Sequence, residues 1–290
     1  MDKVKYKDYL ADNNTHSIKQ NTKPPLLDDE YWKDLMLKNI RRIKKIQEKL
    51  YAQSKYSVLI CLQGMDTSGK DSLIRKVFGP VNPAGVKVYP FKSPSHEELN
   101  HDYLWRHYKK LPSQGEIAVF NRTHYENVLV TRVHPEYILN RDLPKIDNKA
   151  QINNSFWKNR FEHINQVEDI WVENGMIIMK FFLNISKEEQ KNRLIARLEN
   201  KEKHWKFDSG DLKERKFWKE YQYAYSEMLV HTHKKESPWY IVPSDNKPFS
   251  RYLVSEIILQ TLLKHDIRFP KSETDIQENI DIYLNELRNS

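Results

Sequence analysis

The stretch Tyr56-Ser-Val-Leu-Ile-Cys-Leu-Gln-Gly-Met-Asp-Thr-Ser-Gly-Lys-Asp-Ser-Leu-Ile-Arg-Lys-Val77 decides the fold. Its apolar opening, Tyr56 to Leu62, reads as a buried strand, and Ser72 to Val77 reads as the first turns of a helix. Between them lies G-x-x-x-x-G-K, from Gly64 to Lys70. Strand, glycine loop and helix in that order make the pattern a phosphate site. Gly64 and Gly69 let backbone N–H groups curl around phosphate oxygens. The helix N-terminus adds partial positive charge and Lys70 a full one. An ordinary tight turn before a helix is the bland alternative, and the shared register of strand, loop and lysine argues against it.

The position after the lysine usually carries Ser or Thr, whose hydroxyl holds Mg²⁺; here it is Asp71, and Asp66 adds a second carboxylate inside the loop. Two acids beside bound phosphates repel them unless a cation lies between. The pattern predicts a Mg²⁺-loaded phosphoryl-transfer site, with Asp66 as metal ligand, proton acceptor or both.

Four more apolar runs read as strands: Val86 to Phe91, Ile117 to Asn121, Met176 to Leu183 and Trp239 to Pro243. Helical patterns separate them, at about 95–109, within 123–133 and 151–173, at 187–200 and at 212–233. Alternation of this kind implies βαβ units and a parallel sheet. A helix from 28 to about 53 precedes the first strand, and 247–264 follows the last. The expected organisation is an N-terminal arm (1–27), one kinase-like domain (28–270) and a polar C-terminal helix (271–290).

The 290-residue chain carries 48 basic and 40 acidic side chains, a formal charge of +8, which favours polyanionic partners. It has neither the aromatic signature of an RNA-binding sheet nor a Cys/His finger spacing, so nucleic acid is not expected. No apolar run reaches membrane-spanning length and no signal peptide is visible. Cys61 is the one cysteine and cannot form an internal bridge, which fits a reducing cytoplasm. The histidine spacings suggest no metal face.

Glu116 to Arg132 has the shape of a Walker-B strand and its exit. Ligands bind outside the carboxyl ends of parallel strands, so Asn121 and Arg122 should face the phosphates held by Gly64 to Lys70. Arg122 can fork against phosphate oxygens. Asn121 suits a water or metal, and Glu126 is a metal or supporting carboxylate. Ser186 opens a helix on which Arg193 and Arg197 share a face. The basic segment after it, to Arg215, reads either as a lid over phosphates or as a solvated helical hairpin.

Several motifs in fixed order resemble the polyphosphate kinase 2 family. They are Gly64-Met-Asp-Thr-Ser-Gly-Lys-Asp71, Pro94-Ser-His-Glu-Glu-Leu-Asn-His-Asp-Tyr-Leu-Trp-Arg106, Phe120-Asn-Arg-Thr-His-Tyr-Glu-Asn-Val-Leu-Val-Thr-Arg-Val-His134, Ser186-Lys-Glu-Glu-Gln190, His204-Trp-Lys-Phe207 and Pro238-Trp-Tyr-Ile-Val-Pro-Ser-Asp-Asn-Lys247. The resemblance implies an α/β, P-loop kinase-like three-layer sandwich with a five-stranded parallel sheet and a helical lid at about 187–215. It implies Mg²⁺-dependent, reversible transfer of the terminal phosphoryl group of inorganic polyphosphate to AMP or ADP, giving ATP, or to the guanine equivalents. Asp66, Lys70, Asn121 and Arg122 become catalytic residues. Gly64, Gly69, Asp71, Arg193, Arg197 and Lys203 become phosphate or nucleotide contacts, with Lys87, Lys92 and Arg132 as further candidates. Asp66, Glu126 and position 127 become the metal neighbourhood. The resemblance also suggests a homodimer or homotetramer.

The family usually reads Asp where this chain has Asn127, which implies weaker metal binding or a disabled enzyme. Asn121 looks like the branch acting on both mono- and diphosphates. The rival readings are an ATP-dependent nucleoside monophosphate kinase and a catalytically impaired polyanion-binding P-loop protein.

Overall fold

Strand β1 (Ser57–Gln63) is buried along its whole length, so it has to be covered on both faces. Val58, Ile60 and Leu62 point into one apolar layer, and Leu59 and Cys61 into the other. In this computed structural model, which describes residues 4–12, 25, 27–141, 143–271 and 274–290, β1 is the centre of a five-stranded sheet. Its partners are β2 (Val86–Pro90), β3 (Ile117–Asn121), β4 (Met176–Asn184) and β5 (Trp239–Pro243). All pairings are parallel, in the order β2-β3-β1-β4-β5. Leu62 stands opposite Asn121 on β3 and Phe181 on β4, so these strands end at one edge.

The helices are α1 (Asp29–Gln53), α2 (Lys70–Val77), α3 (His96–Leu99), α4 (Trp105–Tyr108), α5 (Val130–Val133), α6 (Glu136–Leu139), α7 (Asn154–Glu173), α8 (Lys187–Glu199), α9 (Ser209–Lys216), α10 (Trp218–Thr232), α11 (Lys247–Leu262) and α12 (Thr274–Asn289). Helices α1, α2 and α11 cover one face of the sheet, while α7 and α10 cover the other. The α1 stripe Trp32, Met36, Ile40, Ile43 and Leu50 recurs at helical spacing and meets α11. Trp32 stacks on Tyr252 at 5.0 Å and meets Phe249 edge-on at 5.0 Å.

The five strands form where the sequence predicts them, but two helices differ. The expected helix at 95–109 is α3 and α4, because Asp102 Oδ1 accepts hydrogen bonds from the Leu104 and Trp105 N–H groups and restarts the chain. The expected helix at 212–233 breaks at Phe217, and α9 begins earlier, where Asp208 accepts from the Gly210 N–H. Of the N-terminal arm, Leu10 makes an antiparallel bridge to Tyr240, and the Ala11 N–H donates to Trp239 O at 2.9 Å. Residues 1–3, 13–24 and 26 of that arm lie outside the described residues. Among the described residues, no helix is long and apolar enough to cross a membrane.

Trp32→Ala removes the ring at the α1–α11 seam and should destabilise the fold by about 3–5 kcal/mol. Urea unfolding measures it, and a loss below about 1 kcal/mol would show that the seam is not limiting.

Candidate active site

The glycine loop leaves β1 at the edge where β3 and β4 end. Gly64 has φ 152°, and a Cβ there would lie 2.7 Å from the Leu183 carbonyl oxygen, so only glycine fits beside β4. Thr67 (φ 65°) and Gly69 (φ 108°) complete the curl into α2. Lys70 folds back on its own loop: Nζ donates to Gly64 O at 2.6 Å and Met65 O at 3.2 Å. Burial, aided by the Arg122 charge, pulls the Lys70 pKa down to about 8. An incoming phosphate would favour the charged form further.

Arg122 follows β3 with φ 62°, a left-handed conformation that an arginine holds only when its surroundings impose it. Its Nη2 donates to Asp66 Oδ1 at 2.8 Å, and its Nη1 lies 3.5 Å from Glu126 Oε2. Glu126, with help from Asp66, holds its pKa above the ordinary value against the opposing effect of burial. Asn121 Nδ2 donates to Asp71 Oδ1 at 2.6 Å. Asp66, Lys70, Asn121, Arg122, Gly69 and Asp71 therefore meet in one place, with Glu126 joined to it through Arg122.

The oxygens left over suit a hard cation or phosphate. Asn121 Oδ1, Thr67 Oγ1 and Ser68 Oγ are buried without a hydrogen-bond partner among the described residues. Hydroxyl, amide and carboxylate oxygens, Asp66 among them, are the donor type that a small divalent cation takes. Among the described residues, no three His, Cys, Asp or Glu side chains converge as a self-sufficient metal cage.

From this point a cleft of about 870 Å³ runs beneath α8 and α9. Ten cationic side chains line it: Lys70, Arg75, Lys92, Arg122, Arg193, Arg197, Lys203, Lys206, Lys247 and Arg251; three acids do, Asp66, Asp71 and Asp211. Lys247 is pulled below its ordinary pKa by burial and then by Arg193, and Arg251 by burial, Arg75 and Arg193. Arg75, Lys206, Asp211, Lys247 and Arg251 were not singled out in the sequence, although Lys206 and Asp211 fall in the basic segment up to Arg215 and Lys247 ends the Pro238–Lys247 motif. A separate cavity of about 600 Å³, lined partly by Tyr6, Tyr56 and Tyr240, lies at the other end of the strands and has no phosphate loop.

Arg193 has a different surrounding from the rest. Its Nε donates to Glu189 at 2.7 Å, Nη1 to Thr67 O and Ser68 O at 2.9 and 3.2 Å, and Nη2 to Ser244 O and Asp245 O at 2.5 and 3.1 Å. A guanidinium has five N–H donors, and all five are engaged. Arg193 ties the phosphate loop to the exit of β5. Arg197 pairs with Asp211 at 3.0 Å.

Three further candidates stand away from the cleft lining. Lys87 sits near the start of β2 and pairs with Glu116 at 2.5 Å. Arg132 pairs with Glu227 at 3.2 Å and lies over the rings of Tyr223 and Trp157. Asn127 donates to His124 O at 2.9 Å and Tyr103 O at 3.4 Å, so its amide braces two backbone segments.

If Arg193 braces the loop and Lys203 faces the polyanion, the two separate by salt dependence. Arg193→Met should lower kcat roughly a hundredfold by misplacing the loop. It should leave the slope of log Kd for polyphosphate against log salt unchanged. Lys203→Gln should reduce that slope by about one ion. The reverse pattern would refute the assignment.

The sequence profile of polyphosphate kinase 2 matches residues 26–270. The chain is 41% identical over 243 residues to the ADP-polyphosphate phosphotransferase of Rhodopseudomonas palustris, covering 84% of this chain and 83% of that one. It is 43% identical over 234 residues to the AMP/ADP-polyphosphate phosphotransferase of Meiothermus ruber, covering 81% and 82%. The crystal structure of polyphosphate kinase 2 from Arthrobacter aurescens TC1 superposes with a TM-score of 0.82 at 34% identity, over 94% of this chain and 91% of that one. With the glycine loop, the Asn121-Arg122 exit and the parallel sheet in place, the chain belongs to the polyphosphate kinase 2 family.

Proposed function

We propose that the chain transfers the terminal phosphoryl group of inorganic polyphosphate to AMP and ADP, with Mg²⁺ at the cleft. The observation that carries this reading is the lining of ten cations against three acids, in a chain with 48 basic and 40 acidic side chains. The loop N–H groups, Lys70 and Arg122 suffice for the phosphates at the reacting centre. Arg75, Lys203, Lys206, Lys247 and Arg251 continue the positive surface beyond it. A string of phosphates presents nothing but charge and oxygen, so a groove of lysines and arginines is an adequate receptor. The names of the two relatives, which pair polyphosphate with ADP in one and with AMP and ADP in the other, support the same reading.

Transfer requires the acceptor phosphate oxygen to attack the end phosphorus in line while the bond to the rest of the chain breaks. Lys70 and Arg122 neutralise charge on the group in flight. Asp66, aligned by Arg122, orients the attacking phosphate. Asp66, with Asp71 beside it, would hold Mg²⁺, which would supply neutralisation of the phosphate charge. Two further inferences accompany the activity. The cytoplasmic placement is supported by nucleotide substrates and a single buried Cys61. Assembly as a homodimer or homotetramer is supported by α12, whose exposed Ile276, Ile280 and Leu287 sit on a helical stripe with Tyr283.

The deciding assay supplies AMP or ADP, Mg²⁺ and long-chain polyphosphate, with no ATP, and reads ATP formed; GMP and GDP are compared as acceptors. Turnover is expected. Phosphorylation of AMP only when ATP is supplied would make the chain a monophosphate kinase, and binding without turnover an impaired polyanion binder. Because the Asn127 amide donates to two carbonyl oxygens that a carboxylate can only repel, Asn127→Asp should lower kcat by roughly tenfold. A rise of about tenfold or more with a lower Mg²⁺ requirement would return position 127 to the metal.

Acidity gives an independent check. Burial, then the charge of Asp66, pushes the Asp211 pKa up to about 6, against the pull of Arg197. Below that pH the neutral acid no longer repels phosphate and releases Arg197. Polyphosphate affinity should therefore weaken as pH rises through about 6, and Asp211→Asn should flatten that step. An unchanged step in the variant would assign it elsewhere.

A further inference from the structure

A charged cluster lies beneath the exit of β3, apart from the cleft lining. Glu168 of α7, Lys180 of β4, and His124 and Tyr125 of the turn after β3 have no exposed surface. Lys180 Nζ donates to Glu168 Oε2 at 2.6 Å, to the Thr232 carbonyl at 2.7 Å and to the Tyr125 hydroxyl at 3.0 Å. The Tyr125 hydroxyl donates to Glu168 Oε1 at 2.6 Å, and His124 Nε2 lies 3.2 Å from the same oxygen. The Ser237 hydroxyl donates to Glu168 Oε2 at 2.9 Å. Burial alone would raise the Glu168 pKa, but Lys180 and then His124 hold it down at about 2.

A wholly buried ion pair is a poor stabilising device, since apolar residues of the same volume often serve as well or better. Its position suggests another use. His124 and Tyr125 lie between Arg122 and Glu126 in a single 3-10 turn, His124–Asn127. Thr123 secures the start of that turn, its hydroxyl accepting from Gln63 Nε2 at 2.9 Å and the Tyr125 N–H at 3.1 Å. Two consecutive side chains of the turn end on one carboxylate, which Lys180 fixes from the sheet. Arg122, one residue upstream of Thr123, keeps φ 62°.

We propose that Glu168 and Lys180 are positioning residues for phosphoryl transfer: the buried pair pins His124 and Tyr125, and through them holds Arg122 in its left-handed conformation against Asp66. Neither residue touches substrate. The proposal rests on the phosphoryl-transfer reading of the cleft and predicts an effect on turnover, with little effect on binding.

The test replaces the pair by apolar side chains of similar size, Glu168→Leu with Lys180→Met, and separately removes one hydroxyl with Tyr125→Phe. The readouts are thermal unfolding, KM for each substrate, Kd for polyphosphate and kcat, with polyphosphate and, in parallel, ATP as donor. The double variant leaves the Tyr125 and Ser237 hydroxyls buried without their acceptor and should melt below the parent, by roughly 5–15 °C, while still folding. Its kcat should fall by roughly tenfold to a hundredfold, while KM and Kd stay within about threefold. Tyr125→Phe should fall part of the way. A folded double variant with parental kcat overturns the proposal, as does a matching loss of binding. Should the double variant fail to fold, parental kcat in a folded Tyr125→Phe overturns it equally. A parent that turns over only with ATP removes the polyphosphate reading instead, and the kcat comparison then stands on that donor.

Discussion

The central position of β1 constrains the whole site. With β3 on one side and β4 on the other, the strand that carries the glycine loop must end between two parallel neighbours. Register then places Leu62 level with Asn121, so the phosphate loop and the Arg122 turn emerge at the same edge. The close approach of Gly64 to the Leu183 carbonyl follows from the other neighbour. Helix α2 can point its N-terminus at the cleft only because the loop is that tight.

A second constraint is electrostatic. Ten cations around one cleft repel one another, and the depressed pKa values of Lys70, Lys247 and Arg251 express that repulsion together with burial. Internal acceptors absorb part of it: Asp66 and Glu126 take Arg122, Asp211 takes Arg197, and carbonyl oxygens with Glu189 take Arg193. A polyanion would relieve what remains.

The sheet and the phosphate loop were legible because each rests on local pattern: apolar runs, glycine spacing and one lysine. Helix boundaries were less so, since the breaks at Asp102 and Phe217 depend on side-chain caps and packing that periodicity does not encode. Residue type announced a cation at Arg193, yet its partners are carbonyls of Thr67, Ser68, Ser244 and Asp245, brought close only by the fold. Lys180 is visible in the sequence as one charge within an apolar strand. Its counter-charge, Glu168, is one acid among several on α7, and nothing short of the packed structure selects it.

Arg193 and the Glu168–Lys180 pair illustrate a division that sequence motifs obscure. Charged side chains conserve one chemical identity while serving opposite ends: solvent-facing cations such as Lys203 remain available to a mobile polyanion, whereas fully engaged ones fix the backbone that presents the reacting groups. Burial and the number of satisfied donors distinguish the two. A cation with every donor used contributes preorganisation, so its loss should register in turnover; one with donors to spare contributes attraction, so its loss should register in salt-dependent binding. By that criterion the Asn127 amide belongs with the braces, since it holds Tyr103 to the turn after β3 instead of reaching the phosphates.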